Sequence, residues 1–377
     1  MKTRYRRQLG FLGASILCAS MAPAATYYVA TVSITDLGNL GVQDSNALDI
    51  NNRGVIVGYS KNSLGIRRAF RWQNGVMTDL GTPGTLSRSV AEGINDHGEV
   101  VGTYWGSNYD EFDNNAFYWS WSTGVVTLSR SLYPGESFDS SYVAMAHAIN
   151  HDGVIVGKVE AEAFDHDIPF RRCYRSLPVR WDSPYVKPKI LHCPETIDGP
   201  NSAFDINDSV AVAGSESDGT GTDNAFTWKS AVTTHLPLPF WGVRPHAYGI
   251  NESGHVVGLA HFGTLTWAAR WDGVGGAEWL GALPGGSFSY AQELNDQDFV
   301  AGTSDMAIDS STVKHRAFLW HADFGFFALP LPAGMPPTST TCGGSSLNNR
   351  VAATGIIQVV GNCGTHAIRW TVQVLTH

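Results

Sequence analysis

The chain has 377 residues, 43% of them hydrophobic and 11% aromatic, with a formal net charge of −9. An acidic balance with no basic run beyond the first seven residues disfavours a general nucleic-acid-binding surface. Only 16% of residues are charged against 41 glycines and 12 tryptophans, which points away from a long helical protein and toward a turn-rich β protein.

Taken in chain order, residues 1–24 read as a signal peptide. Lys2, Arg4, Arg6 and Arg7 form a basic start, Leu9 to Met21 is apolar, and Ala22-Pro23-Ala24 is a small-x-small cleavage site. The apolar run is too short to span a bilayer. Arg6-Arg7 loosely matches a twin-arginine signal, with ordinary Sec export the preferred reading. Leu17 before Cys18 argues against a lipid anchor. Removing the four basic residues leaves 21 basic and 34 acidic ones, a formal charge of −13. The mature chain, residues 25–377, is expected in the periplasm, outside the cell or on its surface, with no transmembrane segment and as a monomer.

From Tyr27 onward one unit repeats. An Ile-Asn or Leu-Asn pair recurs at Asn51, Asn95, Asn150, Asn207, Asn251, Asn295 and Asn348, and in each copy a glycine follows seven residues later, from Gly58 to Gly355. Each copy then reaches a strand ending in tryptophan: Trp72, Trp119, Trp181, Trp228, Trp271, Trp320 and Trp370. Most place a leucine eight to ten residues further on, as at Leu80 and Leu128. Asn-Asn-Arg-Gly (51–54) and its equivalents are tight turns, with asparagine capping through its side chain and glycine taking φ > 0. Four short strands per ~50 residues make one propeller blade. The expected fold is therefore all-β, a seven-bladed β-propeller of four-stranded antiparallel blades, with an open β-solenoid as the alternative. The segment Tyr27 to Leu37 looks like a fourth strand without its first three, and is expected to close the ring near Thr371 to Leu375.

The repeat resembles the extracellular HAF-repeat family, named for a His-Ala-Phe triplet. His366-Ala367 keeps its first two letters, Arg316-Ala317-Phe318-Leu319-Trp320 differs at the histidine, and Thr78-Asp79-Leu80-Gly81-Thr82 matches the linker between repeats. The resemblance covers about residues 34 to 370. It implies an exported repeat protein and supplies no catalytic residues. Copy three departs with Pro178-Val179-Arg180-Trp181, and copy four with Ser209 in its turn.

A feature shared by all copies is architectural, so function is sought where copies differ. Two residues before each Ile-Asn isoleucine, the innermost strand carries Leu48, Glu92, His147, Phe204, Tyr248, Gln292 and Ser345. A ring holding Glu92, His147, Tyr248 and Gln292 near the channel mouth suits a small polar ligand. The long variable loops gather on one face, which often marks the binding face. They carry Tyr104, Trp105, Asp110 and Asp113 in copy two, and Trp241, Arg244 and His246 between copies four and five. The favoured function is a binding or scaffold module for protein or carbohydrate. The opposed reading is a polysaccharide hydrolase using carboxylates among Glu92, Glu293, Asp49 and Asp205, whose carboxyl groups would need to lie about 5–10 Å apart. No cofactor is expected. Calcium has weak candidates in Asp218, Asp223 and Asn224 and in Asp110 with Asp113, and a transition metal in Asp165, His166 and Asp167. Ser311-Thr312-Val313-Lys314 copies a Ser-x-x-Lys pattern without its companion motifs and is read as chance.

Cys173, Cys193, Cys342 and Cys363 read as disulfides in an exported chain. Three pairings are possible. Propeller topology places each local pair in the same-face loops of one copy, predicting Cys173–Cys193 and Cys342–Cys363, since cross pairs would exceed the ~7 Å limit on Cα separation.

Overall fold

The computed structural model describes residues 26–83, 87–105, 114–132, 143–160, 163–164, 172–173, 176–192, 201–217, 223–238, 242–273 and 275–376. The predicted signal peptide, Cys193, Trp241, Asp110, Asp113, the 165–167 cluster and Asp218 lie outside them, so the Cys173–Cys193 pairing does too.

The copies fold as four-stranded antiparallel sheets. The first is Gly41–Ile50, Ile56–Asn62, Arg67–Gln73 and Val76–Asp79, hydrogen-bonded in that order. The same order repeats from Arg88–Ile94 to Gly124–Thr127, and from Ser202–Ile206 to Val232–His235. A single parallel bridge, Val143 to Asn114, joins the second sheet to the third. In the last sheet the fourth place is taken from the opposite end of the chain. Tyr27–Asp36 pairs antiparallel with His366–Thr376, Tyr27 opposite Thr376 and Asp36 opposite Ile368. The first sheet in turn packs on the last: Leu37 N donates to Ala367 O (3.0 Å), Ser45 N to Thr365 O (2.9 Å), and Ala47, Ile50 and Phe70 share a core with Val360 and Ala367. The succession of sheets thus closes on itself and buries both of its ends.

Burial follows the repeat. The phenylalanine of Ala-Phe-x-Trp is sealed between sheets at Phe70, Phe117, Phe226 and Phe318, and Trp181, Trp271 and Trp370 are fully buried. Truncating such a side chain to alanine costs about 3–5 kcal/mol. Trp181, Trp271 and Trp370 donate Nε1 to the carbonyls of Ser129, Pro237 and Pro330 at the exit of the preceding copy. The strand-four leucine closes its sheet, as when Leu80 N donates to Ala69 O and Leu128 N to Ala116 O.

The repeated asparagine is a clasp. Asn51 Oδ1 accepts from Arg53 N and Val55 N (both 3.0 Å), which fixes its own turn. Its Nδ2 donates to the carbonyl of the next asparagine, Asn95 (2.9 Å). The relay continues from Asn95 to Asn150, to Asn207, to Asn251, to Asn295 and to Asn348, at 2.9–3.2 Å. One residue on, a second relay runs through main-chain N–H groups: Asn52 to Asp96, His151 to Asp208, Asp208 to Glu252, Glu252 to Asp296, Asp296 to Asn349, and Asn349 back to Asn52 Oδ1 (2.7 Å).

Three local expectations need correction. In copy four the turn position that glycine occupies in copies one, two, three and five is Val210, at φ 59°, rather than Ser209. A β-branched residue is strained there, and the Asn207 bonds to the turn hold it in place. In copy seven a one-turn helix, Val351–Thr354, capped by Gly355 at φ 66°, is inserted after the asparagine. The residue equivalent to Gly58 is therefore Gly361, opposite Gly344, and the seven-residue spacing to Gly355 is coincidental. Cys342 and Cys363 do form a disulfide, but both are ladder residues directly opposite one another, Cα atoms 4.1 Å apart, rather than loop residues.

Candidate functional site

The repeated strand-two glycine sets up the site. Built onto Gly58, a Cβ would lie 2.0 Å from the carbonyl oxygen of Asn46 on the innermost strand. The same approach occurs at Gly102 to Val90, Gly157 to Met145 and Gly361 to Gly343, each at 2.0 Å. Only a residue without a side chain lets the strands come so close. The register then slips by one on the innermost strand: Ala47 faces Gly58, but Asp49 faces Val57, leaving Leu48 as a bulge. Glu92, His147, Phe204, Tyr248, Gln292 and Ser345 are bulge residues in their copies by the same slip.

A bulge breaks the alternation of a strand and re-aims its side chains. Here residues at two successive positions face the axis. Leu48, Glu92, His147, Phe204, Tyr248, Gln292 and Ser345 line a cavity of about 200 Å³, and Asp49, Ala148, Asp205, Glu293 and Ser346 form its floor. The floor residues also line a second cavity of about 300 Å³ that runs down to the Asn turns. Neither lining contains a lysine or arginine.

The predicted ring of Glu92, His147, Tyr248 and Gln292 is therefore brought together. Glu92 is held at both oxygens: Thr103 Oγ1 donates to Oε1 (3.0 Å) and His147 Nδ1 lies 2.5 Å from Oε2. An ionised carboxylate only accepts, so in the neutral imidazole the proton sits on Nδ1 and the lone pair on Nε2. The His147 ring rests against Phe204 (centroids 5.4 Å), Phe204 meets Tyr248 edge-on (5.3 Å), and His246 stacks on Tyr248 (6.1 Å). Burial pushes the Tyr248 hydroxyl up to about 12, helped by Tyr290 and Asp223, so it stays a donor. Burial lowers His246, against the opposing pull of Asp223 3.4 Å away.

The floor carboxylates are tied to the backbone. Asp49 accepts from Ile50 N, Ile94 N and Ser346 Oγ, and Asp205 from Ile206 N and Ile250 N, so each bridges its own sheet to the next. Glu293 accepts from Leu294 N. Burial outweighs these bonds: Asp49 is raised, Asp205 reaches about 7 with Asp49 and Glu252 repelling its charge, and Glu293 is raised well above its ordinary value.

The other predicted residues lie elsewhere. Tyr104 bonds Thr127 at the outer strand of its sheet (2.8 Å), Trp105 pairs across from Arg88 and Asn114, and Arg244 is exposed at φ 49°. None lines the cavity. Among the described residues no group of three or more His, Cys, Asp or Glu has metal-site geometry. Thr103, which anchors Glu92, was missed by sequence reasoning. It lies next to Gly102, whose place opposite the bulge could have flagged it.

No curated protein matches the chain. Among solved structures, a gluconolactonase from Xanthomonas campestris is 10% identical with TM-score 0.41, covering 95% of this chain and 99% of that one. The β-propeller domain of the Trilobed protease from Pyrococcus furiosus is 9% identical with TM-score 0.48, covering 88% and 93%. A lectin from Aleuria aurantia in complex with a fucosylated sugar is 10% identical with TM-score 0.39, covering 80% and 99%. Residues 38–173, which span the first two copies and part of the third, match a family profile described as a protein of unknown function (DUF3466).

Proposed function

We propose that this chain is an exported seven-bladed β-propeller of the HAF-repeat type, and that it is a binding module whose axial pocket takes the end of a carbohydrate. One observation carries the reading. Side chains at a strand position where the copies diverge converge on a single cavity, and they supply an aromatic wall beside acceptors and donors. That composition, apolar and aromatic surface with a few placed polar groups, is what small-ligand sites use. The cavity of about 200 Å³ is too small for a folded partner and matches a single ring or chain end. Glu92, His147 Nε2, Gln292 and Ser345 offer hydrogen bonds to hydroxyls, and Phe204 and Tyr248 offer ring faces and edges. Calcium plays no part in this reading.

Seven asparagine turns linked in one relay, with the first sheet seated on the last, support the reading of seven blades. Export is supported by the basic and apolar start of the sequence and by the buried Cys342–Cys363 disulfide. The described strands begin at Tyr27, just after the proposed cleavage site. N-terminal sequencing of exported material is expected to read from Ala25, or one residue either side. A glycan and protein array tests the binding role: glycan signals are expected for the wild type and lost in a Phe204→Ala/Tyr248→Ala variant, and a silent array would refute it.

A further inference from the structure

The axial pocket also holds an arrangement that simple binding does not require. Glu92 is fixed at one oxygen by Thr103 and at the other by His147 Nδ1. The carboxylate thereby sets both the tautomer and the orientation of the imidazole. Among the described residues, His147 Nε2 has no hydrogen-bond partner in the protein and is not sealed from the cavity. A carboxylate-oriented imidazole with its second nitrogen open is the base half of an acyl-transfer site. The Tyr248 hydroxyl and the Gln292 amide line the same cavity and likewise have no partner in the protein.

Resting on the reading of this pocket as a carbohydrate site, we propose that it hydrolyses a carboxylic ester on its ligand, an O-acylated sugar, with His147 as general base. Among the described residues nothing bonds Nε2, so the nucleophile is water. His147 Nε2 takes a proton from water as the water oxygen bonds the ester carbonyl carbon, and the carbonyl electrons move onto oxygen. Tyr248 and Gln292 donate hydrogen bonds to that oxyanion. The intermediate collapses, the carbon–alkoxide bond breaks, and the imidazolium returns its proton to the sugar oxygen. The products are a carboxylic acid and a free hydroxyl, with no oxidant or cofactor consumed. Burial holds the Tyr248 hydroxyl near 12, which keeps it a donor throughout.

Glycoside cleavage is a poorer match to the same residues. It needs two carboxylates facing one bond. Glu92 is committed to His147 and Thr103, and Asp49, Asp205 and Glu293 are half-buried and bound to main-chain N–H groups.

The test uses the full mature protein with glucose pentaacetate and 4-nitrophenyl acetate, following acid release at constant pH. Saturable release is expected for the wild type. His147→Gln should lower kcat by about a hundredfold or more, the range of a general base. Tyr248→Phe should lower kcat at nearly unchanged KM, with both variants melting as the wild type does. Release no faster than in buffer, or release unaffected by His147→Gln, would overturn the proposal. Glycan binding on the array without ester hydrolysis would overturn catalysis alone, whereas the absence of both would overturn the binding reading with it.

Discussion

Two rings of side chains circle the axis three residues apart along the innermost strands, and they obey opposite rules. In the turn ring every copy has asparagine, and from Asn51 to Asn295 each amide is spent on its own turn and on the next copy, while Asn348 bonds Gln358 in its own sheet. In the bulge ring no two copies share a residue: Leu48, Glu92, His147, Phe204, Tyr248, Gln292 and Ser345. The first ring is uniform because a uniform hydrogen bond needs a uniform donor and acceptor. The second is free to vary because a bulge residue is left out of the ladder, so its side chain answers to the cavity rather than to the neighbouring strand. The constant residues therefore build a frame, and one of them, the strand-two glycine, makes the place where variation is permitted.

That dependence gives the largest expected effect. Gly102→Ala would put a methyl group 2.0 Å from the Val90 carbonyl and 2.9 Å from the Phe117 ring. Backbone has to move, so the loss is expected to exceed about 4 kcal/mol, read by denaturant unfolding or as failure to fold. The clasp comes next. Asn51→Ala removes the amide that donates to Asn95 O and the acceptor of two turn N–H groups at a site only 5% exposed. Unpaired buried groups cost about 1–3 kcal/mol each, so a total loss of about 2–4 kcal/mol is expected.

The floor of the pocket gives a pH dependence of intermediate size. Asp205 is raised in the folded state from 3.8 to about 7. The folded protein holds this proton more tightly than the unfolded chain, so stability is fully present below about pH 4 and is lost as pH rises toward 7. Asp49 and Glu293, also raised, act in the same direction. Glu216, lowered by its bonds to His192 and His235 against the pull of burial, and His246 and His321, lowered by burial, act in the other: their contributions fade on acidification. Comparing wild type with Asp205→Asn isolates the term. The fall in Tm from pH 5 to pH 8 is expected to be smaller in the variant, and an equal or larger fall would contradict the buried-carboxyl account. The smallest effect belongs to the bulge ring. Gln292→Ala and Ser345→Ala remove side chains that bond nothing among the described residues, and should change stability by less than about 0.5 kcal/mol in the same unfolding assay.

Much of the frame was legible in the sequence, because Asn-x-x-Gly turns, Ala-Phe-x-Trp strands and their spacing state local geometry directly. The closing strand Tyr27–Asp36 and the Cys342–Cys363 bridge were legible for the same reason. The site was half legible. Divergence at one position marked Glu92, His147, Tyr248 and Gln292, but strict strand alternation would send Leu48 and Asp49 to opposite faces. Only the bulge turns both toward the axis. Tyr104, Trp105 and Arg244 stand out in the sequence by loop position and polarity, which say nothing of direction, and in the structure they are strand residues outside the cavity. Copy seven misled by count, since its inserted helical turn moves the true partner glycine from 355 to 361. Val210 could not be seen at all, because its left-handed backbone is imposed by Asn207 and the neighbouring sheet rather than by its own preference.

The claim that the varied ring binds and the constant ring only holds is tested most directly on a glycan array. Wild type, Phe204→Ala/Tyr248→Ala and the control Arg244→Ala, at an exposed strand residue outside the cavity, would be compared at equal folded concentration. The account predicts glycan signals for wild type and Arg244→Ala, and their loss in the double variant with its melting temperature within a few degrees of wild type. Signals that survive in the double variant, or vanish in Arg244→Ala instead, would contradict it.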